Sequence, residues 1–201
     1  MNSNLALILQ LGCALFWVLT YILIILRSFK DRSYGMPMVA LCANISWEFI
    51  FSFILPLAAP QRYIVILWFG LDLIILLQFL LFGKNDFREE FYRKIFYPLF
   101  LITLISSFLT ILLITFEFKD YIGMYTAFGQ NLLMSILFIN LLVSRNSKAG
   151  QSIAIAVSKL IGTLFAAILF FLYQRSTLII LFSCLTFFFD LVYIILLYKA
   201  E

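Results

Sequence analysis

Long apolar runs separated by short polar segments dominate the pattern of this chain. Each run holds about 20 residues, the length at which an α-helix crosses a hydrocarbon core of about 30 Å. The runs cover residues 5–26, 38–59, 63–82, 95–116, 121–143, 151–173 and 177–198. They predict an all-α integral membrane protein in which residues 1–201 form one seven-helix transmembrane bundle. Pro56 and Pro60 predict that the second helix ends early, because proline interrupts a helix.

Composition supports the membrane interpretation and excludes several classes of protein. Hydrophobic residues make up 65% of the chain and charged residues 12%, and soluble domains are only about 45–50% apolar. The spans leave roughly 60 residues for connections, so no extramembrane domain is expected. The net charge of +4 does not indicate nucleic-acid binding, because the bases lie in short loops where membrane topology explains them.

The distribution of lysine and arginine predicts the orientation of the bundle. Loops on one face carry ten bases, namely Arg27, Lys30, Arg32, Lys84, Arg88, Arg93, Lys94, Arg145, Lys148 and Lys199. Loops on the other face carry Arg62, Lys119 and Arg175. Cytoplasmic loops retain positive charge, so the N-terminus is predicted outside or in a lumen and the C-terminus in the cytoplasm. The first run lacks the basic segment of a cleavable signal peptide and is expected to remain as the first helix.

Four ionisable residues lie inside the predicted spans: Glu48, Asp72, Lys159 and Asp190. A charged side chain at bilayer depth costs at least about 2.5–3.5 kcal/mol on insertion scales, so such residues usually face the bundle interior and mark function. The helical rise places Glu48, Asp190 and Lys159 at similar depths and Asp72 near the middle of its span, and all four are expected to line one cavity. The alternative interpretation is structural, with Lys159 forming an ion pair with one acid, Asp72 being the expected partner.

The residue types present favour acid chemistry without a metal or other cofactor. The chain has no histidine, and Cys13, Cys42 and Cys184 stand singly without ligand spacing. It has no glycine-rich phosphate motif and no carboxylate cluster that would hold Mg²⁺ against a diphosphate. A buried carboxyl group without a metal can retain its proton near pH 7 and act as a proton donor.

The segment Ser28–Glu48, SFKDRSYGMPMVALCANISWE, resembles the first cytoplasmic loop and second helix of membrane-bound terpene cyclases from fungal meroterpenoid and indole-diterpene pathways. Similar stretches follow at Trp68–Gly83, at GQNLLMSILF from Gly129 to Phe138, and at Arg145, Gly150, Gln151, Ser152, Lys159, Gly162 and Asp190. The part up to Arg27 shows little resemblance. Because the chain is shorter than the fungal members, a compact bacterial relative is also possible.

The resemblance implies a metal-free cyclisation. An acid protonates the terminal epoxide or alkene of a linear polyprenyl chain, π-bonds close onto the cation in sequence, and a base removes a proton. The family's acids on the second and seventh helices correspond to Glu48, expected as the proton donor, and Asp190, expected to orient it or share its proton; the two roles are interchangeable at this stage. The implied substrate is a hydrophobic prenylated small molecule whose prenyl chain is attached to an aromatic or polyketide group.

Further pocket residues are expected around the two acids, since residues three and four apart share a helix face. Phenylalanine rings near Asp190 are candidates for cation–π stabilisation of a carbocation. The predicted supporting residues are Asn44, Trp47, Asp72, Gln130, Lys159, Phe187 and Tyr193.

The main alternative is a small proton-coupled transporter or channel, because acids and a lysine at membrane depth also occur in such proteins. The lack of a visible internal repeat argues against that interpretation. A retinal-type receptor would need a Schiff-base lysine in the last span, where only the terminal Lys199 is available. The expected location is a bacterial cytoplasmic membrane or the endoplasmic reticulum.

Overall fold

The computed structural model describes residues 3–87 and 89–200, and these residues form helices and no strand. The helices are α1 Ser3–Asp31, α2 Met38–Phe49, α3 Gln61–Phe82, α4 Glu90–Glu117, α5 Met124–Arg145, α6 Ile153–Tyr173 and α7 Thr177–Lys199. A π-helical turn, Ile50–Ile54, extends α2, and a 3-10 turn, Gly83–Asp86, extends α3. The predicted all-α architecture is confirmed.

Six of these helices are long and apolar enough, by length and composition, to cross a membrane. The remaining one, Met38–Ile54, is apolar but shorter. The count of seven spans therefore stays a prediction, as does the orientation. Arg88, one of the ten bases on which the orientation depends, lies outside the described residues.

The second helix ends earlier than the predicted boundary at residue 59. Regular helix stops at Phe49, and the π-helical turn closes with the Leu55 N–H donating to the Ile50 carbonyl at 2.8 Å. Pro56 then prevents continuation, because proline has no N–H to donate. The early end expected from the prolines is confirmed, and the span of 38–59 was too long.

Side-chain caps set the start of three later helices. The Asp120 carboxylate accepts hydrogen bonds from the backbone N–H groups of Met124 at 2.9 Å and Tyr125 at 2.8 Å, so α5 begins at residue 124 instead of 121. The hydroxyls of Ser152 and Ser176 accept from backbone N–H groups in the first turns of α6 and α7. Such caps satisfy donors that the helix itself leaves unpaired.

Helix packing places α2 inside the bundle, with most of its residues buried, and α4 at its edge. Helix α1 packs along α6, α5 and α6 pack against α7, and α2 lies between α3, α4 and α5. Within the most apolar stretch of each helix, 39% of residues are buried in α5 and 17% in α4. Most of α4 therefore offers its side chains to lipid.

Arg145 joins three connections at the base-rich end of the bundle. Its Nε donates to Asp86 Oδ2 at 3.0 Å, and its Nη1 donates to the carbonyls of Tyr34 at 3.1 Å and Ala149 at 2.6 Å. The guanidinium also stacks 4.4 Å from the centroid of the Tyr34 ring. Burial and the neighbouring Asp86 carboxylate raise the pKa of Tyr34 to about 12, although the Arg145 guanidinium acts to lower it. These contacts tie the loops together at this end.

At the opposite end, Gly123 connects the start of α5 to α2. Its backbone lies in the left-handed region at φ +67°, and its carbonyl accepts a hydrogen bond from Trp47 Nε1 at 2.9 Å. A Cβ atom at this position would lie against the Phe51 ring and 2.6 Å from Trp47 Nε1. The close approach of α5 to Trp47 therefore requires glycine.

Gly123→Ala is expected to lower the free energy of unfolding by about 2 kcal/mol or more, because it adds left-handed strain and overpacks Phe51 and Trp47. Gly70→Ala is the matched control, since a Cβ there meets no atom within 4 Å and alanine favours a helix. Thermal unfolding in detergent micelles measures both. Equal stability of the two variants would contradict the packing described.

Candidate active site

A cavity of about 540 Å³ lies between α1, α2, α3, α5 and α6. Its lining residues on α1 run from Ala6 to Tyr21, which is about 22 Å along the axis. The wall is mainly apolar and includes the rings of Trp17, Trp47 and Trp68. Volume and lining are typical of a small-molecule site, for which about 300–1,000 Å³ is usual.

The cavity runs toward the end of the bundle opposite Arg145. There its wall includes residues of the α2–α3, α4–α5 and α6–α7 connections, among them Ala58, Ile122 and Gln174. Its inner end lies among Tyr21 and Glu48. The cavity is therefore a deep pocket whose inner end carries a buried acid.

Glu48 is held in a network of neutral hydrogen-bond donors. The Tyr21 hydroxyl donates to Glu48 Oε1 at 2.9 Å, and Asn44 Nδ2 lies 3.3 Å from the same oxygen. Asn44 Nδ2 also donates to Asp72 Oδ2 at 2.8 Å and contacts the Tyr21 oxygen. Gln130 Nε2 donates to Asn44 Oδ1 at 3.4 Å. Residues of α1, α2, α3 and α5 thus form the hydrogen-bond network around one carboxyl group.

Asp72 is a neighbour of Glu48. Its side chain is fully buried and that of Glu48 is 1% exposed, and Asn44 Nδ2 contacts both carboxyl groups. Glu48 Oε2 and Asp72 Oδ1 accept no hydrogen bond from an N–H or hydroxyl donor within the described ranges. The two acids therefore form a carboxyl pair.

Asp190 and Lys159 form a separate ion pair. Lys159 Nζ lies 2.8 Å and 3.0 Å from the two Asp190 carboxylate oxygens, and donates to Ser135 Oγ at 2.7 Å. Both side chains of the pair are 1% exposed. The predicted pairing of Lys159 with Asp72 is wrong, because α6 packs against α7, which carries Asp190, while Asp72 lies on α3 against α1 and α2.

Only some of the predicted residues reach the cavity. Glu48, Asn44, Trp47 and Gln130 line it. The expectation that all four ionisable side chains line one cavity is wrong, since Asp72, Lys159 and Asp190 are buried outside its lining.

Two aromatic residues predicted as support also lie elsewhere. Phe187 is 39% exposed on the outer surface of α7 and does not line the cavity. Tyr193 is buried and donates to Gln151 Oε1 at 2.9 Å, near the base-rich end. The helix on which each residue lies was predictable, but the direction in which each side chain points was not.

The cavity-wall residues missed from the sequence include Tyr21 and Trp17. Both lie on α1, in the part of the chain that showed little resemblance to a known family. A phenol one turn after an indole, deep inside an apolar run, is the feature that points to them. Buried tyrosine hydroxyls usually find a partner, and here that partner is Glu48.

A family model, the Pyr4-like transmembrane terpene cyclases, matches residues 2–201. The chain belongs to this family. The resemblance seen in the sequence is confirmed, and the match includes the N-terminal part up to Arg27. As a Pyr4-like family member with six apolar helices, the chain is a multi-pass integral membrane protein.

Relatives of this Pyr4-like chain are named as terpene cyclases. It is 33% identical to the Pyr4-family terpene cyclase mfmH of Annulohypoxylon moriforme, over 77% of this chain and 65% of that protein. It is 28% identical to the asnovolin H synthase nvfL of Aspergillus novofumigatus, over 78% of this chain and 66% of that protein. The chain thus spans about two thirds of the length of these relatives. No solved structure matches it.

No group of three or more cysteine, aspartate or glutamate side chains in residues 3–87 and 89–200 is placed to hold a metal ion. The expectation that the Pyr4-like chain works without a cofactor stays a prediction from the sequence.

Breaking the Lys159–Asp190 pair is expected to destabilise the bundle. Lys159→Met or Asp190→Asn alone should lower the free energy of unfolding by about 3–5 kcal/mol, because each leaves the partner uncompensated. The double variant should recover much of that loss, since no unpaired charge remains. Thermal unfolding in detergent measures the three variants, with Cys184→Ser at an exposed position of α7 as the control. A double variant no more stable than the singles would contradict the pairing.

Proposed function

We propose that this chain is a membrane-embedded terpene cyclase that starts cationic ring closure by protonating the end of a linear prenyl chain. The observation that carries the proposal is the position of Glu48, the one carboxyl group in the wall of the cavity among the described residues. Membership of the Pyr4-like family supports the same reaction type.

Glu48 acts as the general acid. Its proton passes to the oxygen of a terminal epoxide, whose C–O bond then breaks, or to the terminal carbon of an alkene. The π-bonds of the chain attack the resulting cation in sequence, and each attack forms a carbon–carbon bond. A base removes a proton from the carbon next to the last cation and restores a double bond. One proton enters and one leaves, so the product is an isomer of the substrate.

The aromatic wall suits the cationic intermediates. Trp17, Trp47 and Trp68 line the cavity. The face of an indole ring attracts a cation more strongly than the ring of tyrosine or phenylalanine does. Trp47 is held in place by its hydrogen bond to Gly123. A low-polarity wall also keeps water from capturing the cation before the rings close.

The substrate class follows from the polarity along the cavity. The inner end presents one acid, with the amides of Asn44 and Gln130 bonded to each other beside it, whereas Gln10, Gln61 and Gln174 lie in the outer part of the wall. A prenylated aromatic or polyketide fits this arrangement when its prenyl terminus reaches Glu48 and its polar head stays among these outer amides. We therefore propose that the substrate binds with the prenyl end innermost.

Asp190 is proposed to support the reaction through Lys159. The pair is outside the cavity lining, but Lys159 Nζ lies 6.0 Å from the centroid of the Trp17 ring, which is part of the wall. Asp190 thereby holds the Lys159 ammonium in position next to the Trp17 ring. The transporter or channel alternative is not supported by any contact described above, and the named relatives argue against it.

Glu48→Gln is expected to reduce product formation at least about 100-fold, the usual contribution of a general acid, while thermal unfolding stays near that of the wild type. Membranes containing each protein are fed linear prenylated aromatics with and without a terminal epoxide, and products are analysed by mass spectrometry. A new isomer of unchanged mass with the wild type is the expected result. Glu117→Gln, at an exposed acid, is the control.

Wild-type activity in Glu48→Gln would remove Glu48 from the reaction. If the wild type dissipated a proton gradient while taking up these compounds, and formed no isomer from any of them, the result would favour the transporter alternative.

A further inference from the structure

Three of the buried acids among the described residues, Glu48, Asp72 and Asp190, lie within helices and differ in what neutralises them. Asp190 has the cation of Lys159 at 2.8 Å, and Lys159 is the one base within the predicted spans. The donors that reach Glu48 and Asp72 are a phenol and an amide, which carry no charge. The negative charge of this second pair must therefore be limited in another way.

A shared proton is the remaining way to limit that charge. Asn44 Nδ2 contacts Glu48 Oε1 at 3.3 Å and Asp72 Oδ2 at 2.8 Å, so the two carboxyl groups are neighbours. Two ionised carboxylates offer acceptors only, so a direct hydrogen bond between them needs a proton on one. Two neighbouring carboxyls in an apolar site also seldom ionise together. Burial of both side chains removes water as a source of compensation.

Asn44 and Tyr21 fix the geometry of this pair. Asn44 Nδ2 reaches Glu48 Oε1 at 3.3 Å and Asp72 Oδ2 at 2.8 Å, so one amide joins both carboxyls. The Tyr21 hydroxyl donates to Glu48 at 2.9 Å. Of the two acids only Glu48 lines the cavity, so a proton shared by the pair is delivered from Glu48.

We propose that Asp72 is a positioning residue that shares one proton with Glu48 and keeps Glu48 protonated until the substrate binds. The proposal rests on the function proposed above. When Glu48 gives up the proton, both carboxylates lie beside the newly formed carbocation and offset its charge. The proton lost in the final elimination balances the proton that was donated.

Asp72→Asn tests the proposal, because it keeps the shape and the hydrogen bond from Asn44 but cannot share a proton as a carboxylate. We expect a fall in kcat of at least about 10-fold, with KM within about two-fold. The titratable groups facing Glu48 among the described residues are Tyr21 and Asp72, so losing the Asp72 charge should move the alkaline limb of the kcat/KM profile to lower pH. Asp72→Glu should restore much of the wild-type profile.

Gln78→Met is the matched control for loss of a buried polar group on α3. Gln78 is fully buried and donates to the Ile25 carbonyl at 2.8 Å, away from the carboxyl pair. Gln78→Met should lower the free energy of unfolding without shifting the pH profile of kcat/KM. Wild-type kcat and an unshifted profile in Asp72→Asn would overturn the proposal, as would an equal shift in Gln78→Met.

Infrared spectroscopy tests for the shared proton without turnover. It needs no Asp72 variant, so it tests the proposal even if Asp72→Asn does not fold. The wild-type protein in lipid at neutral pH should show the carbonyl stretch of a protonated carboxyl group, and Glu48→Gln should lose it. Absence of that band from the wild type would overturn the shared proton even if cyclisation occurs. Failure of the wild type to cyclise any substrate, with the band present, would instead refute the proposed function.

Discussion

A charge among apolar helices must meet a counter-charge or be removed by a proton, and this constraint organises the interior of the bundle. The cost of an unpaired charge at membrane depth is several kcal/mol, comparable with a large part of the stability of a small domain. The chain meets it in two different ways. Lys159 and Asp190 use opposite charge at 2.8 Å, whereas the donors that reach Glu48 and Asp72 within the described part of the chain are neutral.

The ion pair and the carboxyl pair lie at different positions relative to the cavity, and this difference matters for the chemistry. The ion pair lies outside the cavity lining, and the Lys159 ammonium donates to Asp190 and Ser135. The carboxyl pair places Glu48 at the inner end of a cavity with three indole rings in its wall. Under the proposed function, the proton donor and the aromatic surface for cations are therefore brought together, while Lys159 and Asp190 stay outside the cavity lining.

Much of this arrangement was predictable from the sequence, and the missing parts have a common cause. Apolar runs identified the helices, and Pro56 correctly shortened the second one. The similar depths expected for Glu48 and Asp190 from the helical rise stay a prediction. The rotation of each helix about its axis depends on packing with its neighbours, which no local pattern records. That is why Lys159 was paired with the wrong acid, why Phe187 was expected in the pocket, and why Tyr21 was missed.

The central claim is that Glu48, and not Asp190, is the protonated acid at the substrate cavity. Dicyclohexylcarbodiimide is an apolar reagent that adds to protonated carboxyl groups, so it distinguishes the two residues directly. Incubation of the wild-type protein in membranes, followed by peptide mass spectrometry, should show an adduct on Glu48 and none on Asp190. An adduct on Asp190 with Glu48 unmodified would contradict the account.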